Sequence, residues 1–103
     1  MVSVSQIERG AAAFVDRHMV PVMPKAKGIA FGAFAPLVIK AKVKEYAPLV
    51  QSIGLMDEDG NVDLDAAYTA FKGKAQGQWP IELLGFKVSE SDLDKLYQTI
   101  KEM

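Results

Sequence analysis

An acidic run between residues 57 and 65 carries the side chains whose types and spacing come nearest to a metal site. It reads Asp57-Glu58-Asp59-Gly60-Asn61-Val62-Asp63-Leu64-Asp65. A calcium loop of the EF-hand type needs a glycine at position 6 and a bidentate glutamate at position 12. With Gly60 at position 6, position 12 is Ala66, and with Asp57 at position 1, position 12 is Tyr68. Both registers lack the bidentate ligand, so we expect no specific calcium site and a turn that feeds a capped helix.

Histidine is the next residue type that could do chemistry, and His18 is the only one. The chain has no cysteine, so a zinc site at His18 would need carboxylates for every other ligand. His18 falls on the apolar face of the predicted first helix, and we expect a partly buried core histidine. No Gly-x-Ser-x-Gly elbow supports a serine nucleophile. The sequence thus offers no catalytic, cofactor-binding or metal-binding residues, and we expect a protein that is not an enzyme.

A glycine pair defines the third candidate feature, the segment Gly28-Ile29-Ala30-Phe31-Gly32. This spacing lets another helix approach closely, and no Gly-Lys-Ser/Thr follows it as in a phosphate loop. The bulky neighbours of the glycines project the other way, so the helix is apolar all round and needs cover. We expect residues 28–39 to form a self-association surface, whose candidate residues are Gly28, Phe31, Gly32, Phe34 and Leu37.

Other partners could cover the same segment. The uncharged stretch from 28 to 39 has 12 residues, whereas a spanning helix needs about 20. A helix lying in a membrane surface favours lysine and tryptophan at its borders, and the single tryptophan, Trp79, is far away in sequence. We therefore expect a homo-oligomer or another protein partner rather than a membrane. A membrane-surface or lipid- or small-ligand-associated protein using residues 28–39 is the alternative.

Charge and composition further limit the kinds of partner and the compartment that the sequence predicts. The net charge is −1, with seven basic and three acidic residues in 1–54 and five basic and ten acidic residues in 55–103. The basic residues are too few, and lack the interleaved aromatics, for a nucleic-acid partner. Absence of cysteine suits a reducing compartment, and residues 2–22 do not resemble a secretion signal. We expect a cytoplasmic protein.

Apolar spacing predicts the elements of the N-terminal half, residues 1–54. Residues at three- and four-residue steps from Val4 to Phe14 predict an amphipathic helix over 4–20. A second helix is predicted over 26–53, with a stripe that is small at first and bulky later. Pro36 and Pro48 each remove a backbone donor, so a break at either proline stays open. The residues of the stripe are Gly28, Gly32, Ala35, Ile39, Val43, Tyr46, Val50 and Ile53.

The C-terminal half, residues 55–103, is predicted to be helix, hairpin, helix. Asp63 is placed to cap one helix, and Ser89 or Ser91 the last. A β-hairpin over about 79–88 turns at Leu84-Gly85, because that register pairs apolar residues on one side and Glu82 with Lys87 on the other. A third short strand near 61–62 is allowed. The 103 residues therefore form one domain that is mainly α (α+β), with four or five helices.

A short internal repeat links the two C-terminal helices. The segment from Asp63 to Lys72 matches the segment from Asp92 to Lys101 at an Asp, a Leu, a second Asp, a Tyr and a Lys. Two copies do not make a solenoid. Either both helices begin with the same favourable acidic residues at the positive end of the helix dipole, or a turn–cap–helix unit is duplicated and its helices pack alike against the sheet.

The same faces predict the core. Each residue in the following set lies on the apolar side of its element, and we expect all of them to be largely buried: Phe14, Tyr46, Phe71, Phe86 and Ile100.

The run from Ile53 to Asp65, together with Ser91-Asp92-Leu93-Asp94-Lys95-Leu96-Tyr97, resembles small uncharacterised bacterial and prophage-encoded proteins. The resemblance covers about residues 50–103, and its motifs are structural. It implies a phage-related accessory or assembly role and transfers no functional residues. Combined with the apolar segment, it leads us to expect a non-enzymatic interaction or assembly protein.

Overall fold

The computed structural model describes residues 1–83 and 86–103, with the side chains at 82, 83 and 86 left aside. The protein is mainly helical, as predicted. Its α-helices in the described residues are α1 (Val4–Phe14), α2 (Lys25–Ser52), α3 (Leu64–Lys74) and α4 (Glu90–Glu102). A π-helical turn (Val15–Met19) and a 3-10 turn (Val20–Val22) follow α1 directly. The strands are β1 (Val2–Ser3), β2 (Asn61–Val62), β3 (Ile81–Leu83) and β4 (Phe86–Val88).

The strands form two antiparallel pairs. In the hairpin, Ile81 lies opposite Val88 and Glu82 opposite Lys87, which confirms the register predicted from the cross-strand residues. The predicted turn at Leu84-Gly85 lies outside the described residues. The short strand near 61–62 is also present, and its partner is β1 at the start of the chain rather than the hairpin. This second pair ties the N-terminus to the middle of the sequence.

Side-chain caps fix where the helices begin. Asp63 caps α3 by accepting a hydrogen bond from Ala66 N at 3.1 Å, as its sequence position predicts. Of the two serines proposed for α4, Ser89 is the cap. Its Oγ accepts from Asp92 N at 3.1 Å, and Ser89 N donates to Asp92 Oδ2 at 3.0 Å. These reciprocal bonds form a capping box, which fixes the direction in which α4 leaves the hairpin.

The core lies where α1 and α4 cross. Phe14 and Ile100 are each 5% exposed, which confirms their predicted burial. The crossing is close because Gly10 faces Ile100, and a Cβ at position 10 would lie 2.5 Å from Ile100 Cα. Gln6 closes one side of this contact by donating from Nε2 to Ile100 O at 3.0 Å. Because both helices are held together at a glycine, the α1–α4 contact tolerates little added volume.

Helix α2 runs without a break through Pro36 and Pro48. Each proline removes one donor from the helical ladder, and the bonds on either side continue the helix. At 28 residues, α2 is about 42 Å long, since each residue adds about 1.5 Å. Its main contacts are with α1 and the two turns that follow α1. Those span residues 4–22 and are therefore about two-thirds as long, so α2 extends past its own neighbours.

This mismatch in length explains one wrong prediction about the core. Tyr46, which was predicted to be largely buried, is 51% exposed, and Ile53 at the end of the same stripe is 60% exposed. The stripe is covered at Gly28 and Ala35, which are buried, and loses its cover toward the C-terminal end of α2. An apolar stripe is buried only along the length that another element covers.

The predicted burial of Phe71 is also wrong, for a different reason. Phe71 is 41% exposed, and its ring meets Trp79 edge-on at 6.2 Å between centroids. The contacts of α3 with α4 are made instead through Tyr68 and Lys72. The fifth predicted core residue, Phe86, has its side chain outside the described residues.

The residues shared by the internal repeat meet each other between α3 and α4. Tyr68 donates a hydrogen bond to Asp94, and its counterpart Tyr97 donates one to Asp65. The two tyrosine rings stack at 4.3 Å between centroids, with 25° between their planes. Each copy of the repeat thus supplies a carboxylate to the tyrosine of the other copy. Asp65, near the start of α3, pairs with Tyr97, whereas Tyr68, further along α3, pairs with the earlier residue Asp94 of α4. The two helices are therefore antiparallel.

Lys72 adds further hydrogen bonds and an ion pair to these tyrosine–aspartate contacts. Lys72 donates to Tyr68 Oη at 3.0 Å and to Asp94 at 3.2 Å, and pairs with Glu90 at 3.4 Å. Hydrogen bonds from Tyr68 and Lys72 hold the pKa of Asp94 below its ordinary value. Hydrogen bonds to Tyr68 and Asp94 raise the pKa of Lys72. The network favours the charged forms of both groups in the folded protein.

We predict opposite effects from alanine at two helical glycines. Gly10→Ala should lower the free energy of unfolding by about 1–3 kcal/mol, because the new methyl group overpacks the α1–α4 contact. Gly73→Ala places a methyl in open space within α3 and should stabilise the protein by up to about 1 kcal/mol through helix propensity. Urea unfolding at neutral pH measures both. Equal effects at the two positions would contradict the packing assigned to Gly10.

A second prediction concerns acid. A carboxylate whose pKa is lower in the folded state contributes stability above its unfolded pKa and loses it as the pH falls below about 4. Asp94→Asn should therefore lower the urea midpoint at pH 7 and lower it less at pH 2, because the wild-type carboxylate takes up a proton as the pH falls and loses its advantage over the amide. Glu58→Gln, which changes the same charge in an exposed turn, is the control. A deficit of the same size at both pH values would refute the electrostatic role of Asp94.

Candidate self-association surface

The two glycines of the predicted surface face into the protomer. Gly28 is buried, and a Cβ there would lie 3.2 Å from the carbonyl oxygen of Val20. At Gly32 a Cβ would contact the Val20 side chain at 3.5 Å and Asp16 Oδ1 at 3.6 Å. The glycine spacing therefore brings α2 against the π-turn and the 3-10 turn of the same chain. The close approach that the sequence predicts is present, and it is made within one copy.

The bulky residues of the same segment lie on the opposite side of α2. Ile29 is 65% exposed, Phe34 64% and Leu37 66%. Phe31 is half-buried and lies at the border between the two sides. The structure therefore separates the five predicted residues into an inward pair of glycines, a border phenylalanine and two outward residues. Smaller exposed residues, which sequence reasoning missed, extend the outward set.

We call this exposed surface the outer face of α2. Its residues recur at three- and four-residue steps, so they share one side of the helix over about three turns. The face consists of Ile29, Ala30, Ala33, Phe34, Leu37, Val38 and Ala41, each of them exposed. A contiguous apolar surface bordered by polar residues is typical of an interaction site.

Lysines border the outer face at both ends. Lys25 and Lys27 precede it, Lys40 lies within its last turn, and Lys44 follows it, all of them exposed. Lys42 also lies beyond the face and pairs with Glu45 at 3.2 Å. The surface is thus apolar in the middle and basic at its ends, an arrangement that determines how salt affects any contact made there.

A further apolar region lies beyond those lysines. Tyr46, Leu49 and Ile53 are between 51% and 60% exposed along the last turns of α2. Of these residues, Tyr46 was predicted to be in the core, Ile53 was placed on the stripe of α2, and Leu49 was in neither set. The signal that could have revealed them is length, since no other predicted helix is long enough to cover the whole of α2.

His18 is exposed, so the prediction of a partly buried core histidine is wrong. The cause is the π-turn, in which each hydrogen bond encloses one residue more than in an α-helix. That extra residue rotates the side chains that follow it away from the apolar stripe of α1, whose last buried residues are Phe14 and Val15. The His18 ring instead lies beside Phe14, with 5.3 Å between centroids.

A cleft of about 500 Å³ opens beside His18. It lies between the segment that joins α1 to α2 on one side and the segment from β4 to α4 on the other. We call it the His18 cleft. Its lining residues are Phe14, His18, Met19, Val22, Met23, Pro24, Lys27, Lys87, Val88, Asp92 and Lys95.

The acidic run forms a hydrogen-bonded turn. The Asp57 carboxylate accepts hydrogen bonds from Asp59 N and Asn61 N, both at 2.9 Å, and from Asn61 Nδ2 at 3.3 Å. The hydrogen bond from the Asn61 backbone is the main cause that lowers the pKa of Asp57; burial opposes it, and the bonds from the Asn61 side chain and from Asp59 add to the lowering. Gly60 has a φ of 81°, which suits glycine in such a turn. Among the described residues, no group of three or more acidic or histidine side chains is placed to hold a metal ion.

The comparisons with known proteins add no family. No protein-family model, curated protein or solved structure matches the chain. The resemblance of residues 50–103 to prophage-encoded proteins therefore stays a prediction.

None of the helices in the described residues is long and apolar enough to cross a membrane.

Proposed function

We propose that this protein is a non-enzymatic interaction protein that self-associates through the outer face of α2. The exposure of Ile29, Phe34 and Leu37 on one side of a helix carries the proposal. Fully burying one side chain of this size contributes about 1.5–3 kcal/mol relative to leaving it exposed. Association also costs several kcal/mol of lost freedom, so a contact needs several such residues together. The outer face provides them in adjacent turns.

Self-association is favoured over a different partner because a twofold axis would use the same face twice. In such a contact each copy supplies Phe34 and Leu37 to the other, so one exposed surface covers its own counterpart. The small side chains of the alanines at 30, 33 and 41 leave space between the larger residues of the outer face. This alternation of large and small side chains suits the interlocking of two helices.

The lysines near the ends of the outer face determine how self-association should depend on salt. In a pair of α2 helices, parallel or antiparallel, the lysines at 25, 40 and 44 of one copy approach lysines of the other. Their repulsion opposes association and is screened by salt over about 8–10 Å at ordinary ionic strength. Raising the salt concentration should therefore leave the dimer unchanged or strengthen it.

We predict that the protein sediments as a dimer at micromolar concentration and that Phe34→Asp converts it to a monomer. The buried charge would lack a partner in the contact, a cost larger than the apolar contribution it replaces. Analytical ultracentrifugation at low and high salt measures both effects, and circular dichroism verifies that the helices remain.

Leu49→Asp is the matched control, because Leu49 is 58% exposed on the same helix and outside the outer face. This variant should remain dimeric. A wild-type protein that is monomeric with a stable fold would contradict self-association. Equal loss of the dimer in both variants would contradict the assignment to the outer face.

A further inference from the structure

The His18 cleft contains none of the residues of the outer face, shares only the bordering Lys27 with it, and has an apolar floor. Phe14 and Val88 are each 5% exposed at its base, and Met19 and Met23 are half-buried in its wall. Methionine side chains are flexible and polarizable, so they adapt to apolar ligands of different shape. The volume of about 500 Å³ is within the range of known small-molecule sites, which is roughly 300–1,000 Å³.

The mouth of the cleft is basic. Lys27 from α2, Lys87 from β4 and Lys95 from α4 all line it and are exposed, so three lysines converge there from separate elements, with the exposed His18 of the π-turn beside them. Asp92 is the one acidic residue among the described lining residues. Its Oδ2 accepts a hydrogen bond from Ser89 N at 3.0 Å as part of the capping box. The carboxylate is therefore engaged by its own helix, and the mouth favours a negatively charged group.

The π-turn is an independent indication that this position is functional. Short π-helical turns are rare and occur frequently at functional sites, because they place side chains where a regular helix would not. Here the turn moves His18 out of the core and sets it, with Met19, along the cleft. One turn thus supplies both a group for the basic mouth and a group for the apolar wall.

We infer that the His18 cleft binds a single-chain carboxylate amphiphile of the fatty-acid class. The carboxylate lies at the mouth near Lys95, Lys87 and His18, and the alkyl chain lies along Met19, Met23 and Phe14. Lysine supplies a point charge rather than a planar pair of donors, so the charge of the head group is recognised more than its shape. The occupant is a free amphiphile, because the apolar side chains of the floor, Phe14 and Val88, are buried rather than exposed on a flat surface.

Methionine-methyl NMR tests this directly, since the chain has five methionines and two of them line the cleft. Titration with decanoate below its micelle concentration should shift Met19 and Met23 saturably and leave Met1, Met56 and Met103 unchanged. Decanol, which lacks the charge, and acetate, which lacks the chain, should each bind at least tenfold more weakly. Equal binding of decanoate and decanol, or the absence of saturable shifts, would overturn the inference.

Reversing the charge of one lysine inside the cleft and of one lysine outside it gives a matched pair of variants for decanoate binding. Lys95→Glu should weaken decanoate binding by roughly tenfold or more, about the effect of losing one charge-assisted contact. Lys74→Glu, an exposed lysine on α3 outside the lining residues, should change it less than twofold. Both positions are on the surface, so both variants should fold. Equal weakening by both would show general electrostatic attraction and would contradict a site.

Two further experiments complete the test. One distinguishes a free ligand from a membrane surface, and the other tests whether the cleft binds independently of the outer face. Vesicles of phosphatidylglycerol should not shift Met19 or Met23, and shifts with vesicles in the absence of any response to decanoate would point to a membrane surface and overturn the inference. Phe34→Asp should bind decanoate as the wild type does. A failure of self-association and a failure of ligand binding are therefore distinguished in the same set of samples.

Discussion

Helix α1 is the element against which both α4 and α2 pack, and the other features of the structure depend on how its surface is divided. On one side, Gly10 lets α4 approach to the point where Ile100 touches the α1 backbone. On another, α1 and the turns after it receive the glycine side of α2. A short helix that serves two neighbours cannot cover all of a longer one. The exposed outer face and the exposed C-terminal turns of α2 follow from that shortage of cover.

The elements that could be predicted from the sequence are those determined by local chemistry. The hairpin register follows from Glu82 facing Lys87 and Ile81 facing Val88, and the helix caps follow from Asp63 and Ser89. The wrong predictions concern which helix covers the apolar face of which other helix. A stripe of apolar residues indicates a face that can be buried, and Tyr46 lies on such a stripe without a neighbour to bury it. Burial depends on the lengths and directions of other helices, which periodicity does not contain.

His18 and the glycine pair illustrate two further limits. Helical spacing placed His18 on the core face because it assumes a constant number of residues per turn, and the π-turn that contains His18 changes that number. Gly28 and Gly32 correctly indicated a close helix approach. Spacing alone could not tell whether the approaching backbone belonged to the same chain or to another, because both satisfy the same steric requirement. The repeat was visible in the sequence, while the exchange of Tyr68 and Tyr97 for each other's carboxylates was not.

The central claim is that the outer face of α2 contacts the same face of a second copy, and the absence of cysteine from the chain allows a direct test. Single cysteines at Ala30, Phe34, Leu37 and Ala41, with Thr69 as an exposed control on α3, can be oxidised mildly at micromolar protein concentration. A disulfide requires Cα atoms within about 7 Å, so it forms between copies only where they pack closely. We expect covalent dimers at one or more of the α2 positions nearest the twofold axis and few at Thr69. Dimer yields on α2 no higher than at Thr69 would contradict the claim.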